Sequence, residues 1–144
     1  YEISNHAKSD AQSRHNLIYW RQGDWAAVGP GAHGRITLPR GRYATEAHIA
    51  PGAWLDAVER HGTGESLREL VPDDERATEY LLMAMRLDEG LDEARLARMT
   101  GHGFDEDAVQ RLQALGMIWR QDGRLGTTRA GRPLLNAILR ELAA

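Results

Sequence analysis

The sequence predicts an α+β chain, turn-rich and strand-forming in its first part and mainly helical in its second. Three observations carry this. Residues 1–50 hold few helical periods, most of the aromatic residues and the glycines Gly23, Gly29, Gly31, Gly34 and Gly41. From position 72 onward apolar residues recur at helical spacing. Asp122-Gly123 lies between two short strand-like runs, and both residue types tolerate the positive φ that a tight hairpin turn needs.

Taken in order, Tyr1-Glu2-Ile3-Ser4 reads as a short strand and Trp25-Ala26-Ala27-Val28 as a buried one, stopped by Gly29-Pro30-Gly31. Arg35-Ile36-Thr37-Leu38 alternates and ends at Pro39. Pro51 opens a helix running to about Arg60, and His61-Gly62-Thr63-Gly64 reads as a linker, which predicts domains at 1–64 and 65–144. Pro72 suits a helix start, since its missing N–H is not needed there. Asp73, Asp74 and Glu75 then place negative charge at the positive end of the helix dipole. Ala77, Tyr80, Leu81, Ala84 and Met85 form one apolar face, with Gly90 as the stop.

A short helix is expected from Asp92 to Met99, closed by Gly101. Another starts at Asp105 with Ala108, Val109, Leu112 and Leu115 inward and Gly116 as its stop. Met117–Arg120 and Arg124–Thr127 form the hairpin. A last helix from about Thr128 carries Leu134, Leu135, Ile138, Leu139 and Leu142, its start displaced by Pro133 or holding it in the first turn. Three helices, a two-stranded wing and a further helix give a winged-helix-like module.

Composition narrows the function. The formal charge is −3 and the chain has no cysteine. The first gives no electrostatic grip on nucleic acid or anionic lipid. The second excludes disulfides and thiolate-held zinc or iron–sulfur clusters on this chain alone. No apolar run approaches the ~20 residues of a membrane span. No signal peptide is visible either, so a cytoplasmic location is expected. A winged-helix pattern suggests DNA, but the helix that would enter the groove begins Asp105-Glu106-Asp107, three negative charges against phosphates. His6, His15, His33, His48, His61 and His102 are scattered without an i, i+4 helical pair, so no zinc site is expected.

Two segments carry denser chemistry. Arg14-His15-Asn16-Leu17-Ile18-Tyr19-Trp20 sets an imidazole beside a carboxamide and two large aromatic rings. An exposed neutral imidazole is an axial ligand for haem iron, and flat rings suit a porphyrin plane. Spacing alone favours the other reading, with Tyr19 and Trp20 as core and His15 as a turn cap. Gly29-Pro30-Gly31-Ala32-His33-Gly34 fits either a close backbone approach to a ligand or a tight structural turn. No helical pattern follows it, which argues against a dinucleotide fingerprint.

These segments resemble the coproporphyrinogen III oxidase-like radical SAM family. Tyr1–Ala7 is similar to its YEISNFA-type strand, and His15-Asn16…Tyr19-Trp20 to the HNxxYW motif of its haem-chaperone branch. Gly23-Asp24 and Gly29–Arg35 resemble the next two segments. Leu87–Asp92 and Thr128–Arg132 through Asn136, with Glu141-Leu142, resemble the family's accessory domain. The resemblance implies that residues 1 to about 38 end a partial β/α barrel. It implies haem contact by His15, Asn16, Tyr19 and Trp20, and S-adenosylmethionine contact at Gly29, Gly31, Ala32 and His33. It implies a parent protein that binds haem and delivers it to acceptor proteins. The alternatives are an oxygen-independent coproporphyrinogen III oxidase and a ligand-free interaction module. The family's CxxxCxxC loop for a [4Fe–4S] cluster is absent, so the resemblance implies a chain inactive by itself.

Overall fold

A computed structural model describes residues 1–8 and 10–143. Along the chain run α1 (Arg14–Trp20), β1 (His33–Leu38), β2 (Gly41–Ala47), α2 (Pro51–His61), β3 (Glu65–Leu70), α3 (Asp73–Ala84), β4 (Leu91–Asp92), α4 (Glu93–Thr100), α5 (Glu106–Ala114), β5 (Ile118–Gln121), β6 (Arg124–Thr127) and α6 (Leu135–Leu142). Two compact units result: Tyr1–Gln22 together with Asp73–Ala144, and Gly23–Pro72. This division by packing passes through the expected 1–64 segment, because the first residues bond to the turn after α3. Ile3 N donates to Arg86 O at 3.1 Å and Asp88 N to Tyr1 O at 3.0 Å.

In the first unit, α3, α4, α5 and α6 enclose an apolar core against an antiparallel sheet of order β4-β6-β5. The α3 face forms as its spacing requires, with Ala77, Tyr80, Leu81 and Ala84 all buried. Met85, Leu91, Val109 and Leu125 are fully enclosed. Local chemistry fixes the ends of the elements. Asp92 caps α4 by accepting from Arg95 N at 2.9 Å, and Gly101 closes that helix in the left-handed region. The β5–β6 turn is Asp122-Gly123, with φ of 52° and 73°.

Close backbone approach explains two glycines. A Cβ on Gly90 would lie 2.7 Å from Leu125 O, and one on Gly131 would collide with Met117 O. Thr128 completes the second arrangement: its Oγ1 donates to Gly116 O at 2.6 Å and accepts from Gly131 N at 3.0 Å. The Thr128-to-Gly131 spacing is thus a backbone brace.

Three expectations for this unit need correction. Tyr1–Ser4 makes no strand; Glu2 forms isolated bridges with Asn5 and Leu87. Helix α3 ends at Ala84 rather than at Gly90. Unwinding there lets both Met85 and Leu87 enter the core, and the positive φ of Gly90 serves the turn into β4 instead. Leu115 is 67% exposed, because α5 has stopped at Ala114 and Gly116 turns the chain away. Pro133 does displace the last helix: a short 3-10 turn spans Arg132–Leu134 before α6 begins at Leu135.

The second unit is an antiparallel sheet of order β1-β2-β3, with α2 joining β2 to β3. Strands of a β/α barrel run parallel, unlike either pairing here. The strand expected at Trp25–Val28 does not form: only Trp25 bridges, to Arg35, and Val28 is 83% exposed. The linker expected at His61–Gly64 leads directly into β3. Gly34 is required where it stands, since a Cβ would press within 2.9 Å of Trp25 O and 2.8 Å of Ala27 N.

Candidate functional site

Ser13 starts α1 by accepting from Asn16 N on its Oγ at 3.3 Å. The helix then sets His15 and Tyr19 four residues apart on one face. His15 is exposed, its Nε2 hydrogen-bonded to Tyr19 Oη at 2.9 Å, the rings edge-to-face with centroids 4.9 Å apart. That bond orients the imidazole and leaves Nδ1 as its other ring nitrogen.

The remaining two residues of the motif fasten the helix. Asn16 Nδ2 donates to Asn5 Oδ1 at 3.3 Å, and Asn5 Nδ2 donates to Glu2 Oε2 at 2.6 Å. Glu2 is buried, and its Oε2 also accepts from Ser4 N and Ser4 Oγ at 2.9 and 2.8 Å. Arg86 Nε donates to Glu2 Oε1 at 2.6 Å, while its guanidinium lies 4.9 Å from the Trp20 ring centroid. The path from Asn16 through Asn5, Glu2 and Arg86 therefore returns to α1 at Trp20. Burial opposes ionisation of Glu2, but the hydrogen bonds from Asn5, Ser4 and Arg86 outweigh it and hold the carboxyl below its usual range.

Glu2, Asn5 and Arg86 were not anticipated as part of this site. The signal was present in Glu2 and Asn5, which lie inside the amino-terminal motif but suggest only a strand when read by alternation. Arg86 directly follows an apolar helical face and carries no local signal. A cleft of about 320 Å³ beside α1 is lined by Tyr1, Leu17, Leu87 and Glu89 among others, but not by His15, which stands on open surface.

Gly29, Gly31, Ala32 and His33 lie in the second unit, not with the His15 set. Gly29 and Gly31 take φ of 99° and 67°, as a tight turn requires. Gly31 N donates to His48 O at 2.9 Å and Ala32 N to Gly29 O at 3.3 Å, so both amides are already engaged within the fold. His33 Nδ1 is 3.5 Å from Glu46 Oε1, and its carbonyl accepts from Trp25 Nε1 at 3.0 Å. Among the described residues no group of three or more His, Cys, Asp or Glu side chains could hold a metal ion, and no helix is long and apolar enough to cross a membrane.

Residues 71–134 match the HemN C-terminal domain. The chain is 33% identical over 153 residues to the mitochondrial radical S-adenosyl methionine domain-containing protein 1 of Danio rerio, covering 96% of this chain and 34% of that protein. It is 34% identical over 146 residues to the heme chaperone HemW of Mycobacterium tuberculosis, covering 99% and 34%. The chain therefore spans about a third of the length of these relatives. Among solved structures, coproporphyrinogen III oxidase (HemN) from Escherichia coli, a radical SAM enzyme, superposes with a TM-score of 0.57 over 85% of this chain and 29% of its own, at 15% identity. That similarity shows a shared fold. The chain is thus a HemN-like carboxy-terminal piece of the radical SAM coproporphyrinogen oxidase-like family, most like HemW.

Proposed function

We propose that this chain belongs to a haem chaperone, in which His15 supplies a ligand to haem iron and the longer protein delivers the haem to an acceptor. The single observation that carries the reading is the exposed His15 imidazole, oriented by Tyr19 on a helix fastened at both Asn16 and Trp20. A metal-ligating histidine needs one nitrogen free for the metal and a partner on the other to fix its orientation. With Tyr19 on Nε2, Nδ1 is the nitrogen that would face the iron. Relatives that carry the name heme chaperone support the same reading.

In this proposal Asn16 and Trp20 act by holding α1, and Tyr19 by orienting the imidazole. Gly29, Gly31, Ala32 and His33 would lie beside S-adenosylmethionine, whose cluster thiolates this cysteine-free chain does not supply. Since Gly31 and Ala32 N–H groups are engaged, such contact would rest on close approach at the glycines rather than on those donors. Residues 1–38 would adjoin the barrel of the longer protein. The order α3-β4-α4-α5-β5-β6 supports a winged-helix-like accessory module, and a cytoplasmic site of action is part of the same proposal.

A haem titration followed by visible absorbance tests it, with the chain beside its His15→Ala variant. A saturable Soret shift at micromolar haem that the variant loses is the expected result. An identical, non-saturating response in both would remove His15 from the site. Porphyrinogen turnover by the full-length protein would overturn the chaperone reading in favour of an oxidase.

A further inference from the structure

A cleft of about 720 Å³ in the first unit opens between α3, α4, the start of α5 and the end of α6. Its floor is apolar: Leu81, Leu96, Met99, Phe104 and Leu142. Two carboxylates line it, and its one basic side chain is His102. Asp74 and Asp105 stand at the rim, and no arginine lines the cleft although the chain holds 17 of them. Neighbouring acids are drawn elsewhere, Asp73 to Arg76 at 2.6 Å and Glu106 to Arg120 at 2.7 Å. Among the described residues Asp74 makes no ion pair; it lies in the first turn of α3, at the positive end of that helix dipole, and is exposed to solvent.

We propose that this cleft docks a basic amphipathic helix of a partner protein, its apolar face on Leu81, Met99 and Phe104 and its Lys or Arg side chains against Asp74 and Asp105. An apolar floor with an acidic rim is what a helix-in-groove partner with basic flanks complements, the apolar anchors giving affinity and the charges orientation. The same rim repels the carboxylates of haem and the phosphates of nucleic acid, so the cleft is chemically distinct from the His15 surface.

Gly103 makes a clean test possible. It lines the cleft, and a Cβ built on it meets nothing within 4 Å, so a side chain can be added there without a clash at Cβ, and Gly103→Phe is expected to narrow the cleft. The probe is a labelled amphipathic Leu/Lys peptide of about four helical turns, titrated by fluorescence anisotropy, beside a counterpart with Glu for every Lys. Expected are about tenfold weaker binding to Gly103→Phe and to Asp74→Lys, with weak or no binding of the Glu peptide. Amide shifts in the complex should centre on Met99, His102 and Phe104. Equal binding of the two peptides, unchanged affinity in Gly103→Phe, or shifts elsewhere would overturn the proposal. So would a dimer of the chain that Gly103→Phe converts to monomer, since a second copy would then be the occupant.

Discussion

The two compact units are stabilised by different physics. The first encloses Met85, Leu91, Val109 and Leu125 completely, and every member of the continuous apolar core belongs to it. The second buries only Ala47 and Val71 among its apolar side chains, while Val28 and Ile49 are 83% and 85% exposed. What it does bury is polar: Arg42 and Thr45. Arg42 donates to Asp24 Oδ1 at 2.7 Å and to Gly23 O at 2.8 Å, and its guanidinium lies 5.6 Å from the Trp25 ring centroid. Burial of apolar area is the dominant favourable contribution to folding. The first unit should therefore set the chain's global stability, and the second should open earlier.

The strongest way to break this comparison is to truncate one leucine in each unit. Leu125 has no exposed surface, so Leu125→Ala should destabilise the first unit by roughly 2–5 kcal/mol. Leu67 on β3 is already 37% exposed, and Leu67→Ala should cost less than about 1 kcal/mol. Residue-resolved hydrogen exchange in increasing urea reads both. Comparable losses from the two substitutions would mean that the second unit has an apolar core after all.

Next in size is Arg42→Met, which should weaken the second unit by about 1–3 kcal/mol. Asp24 is 45% exposed and regains water when its partner goes, which keeps the effect toward the lower end. Exchange should quicken across β2 and β3 and stay unchanged in α3 and α5. Uniform loss across both units would show that they do not unfold separately.

Acid should separate the units more gently. Glu2 and Asp24 both titrate below their usual range; in each, burial opposes ionisation and hydrogen bonds outweigh it, with Arg42 adding to those of Thr37 at Asp24. Such a carboxyl binds fewer protons folded than unfolded. Its contribution is present above the unfolded value, about 4, and is lost as pH falls through the lower folded value. Protection of the Ile3 and Asn5 amides should therefore decline below about pH 4, and Glu2→Gln should abolish that dependence by removing the titrating group. Asp24→Asn should alter the acid limb less, because solvent already screens Asp24. A Glu2→Gln chain with the same acid limb would remove Glu2 from the fastening of α1.

How much of this was legible follows the same division. In the first unit apolar spacing and capping chemistry agree, so α3, α4, α5 and the Asp122-Gly123 hairpin could be read directly. The misplaced stop at Gly90 arose because its positive φ suits a helix cap and a strand entry equally. In the second unit the usual signal inverts: β2 buries Arg42 and Thr45, and β3 is almost wholly exposed, so neither shows apolar alternation. Val28 looked like core by type and lies in solvent. The site divides likewise. Spacing could propose His15 and Tyr19, but the return path through Glu2 and Arg86 joins residues 84 apart in sequence, which no local pattern encodes.

The smallest expected effects sharpen the comparison by showing where it does not lie. Each unit carries an exposed ion pair of good geometry: Arg111 with Glu141 at 2.7 Å in the first, Arg68 with Glu65 at 2.8 Å in the second. In both, the arginine is held above its ordinary value chiefly by the hydrogen bond to its carboxylate. Exposed pairs nevertheless gain little, since water and salt screen them and ordering two long side chains opposes the attraction. Arg111→Ala and Arg68→Ala should thus leave the exchange profile of their own units unchanged, at low and at high salt alike. If Arg68→Ala alone opened β3, the second unit would depend on its surface charges as well as on Arg42, and its polar character would extend from its interior to its edge.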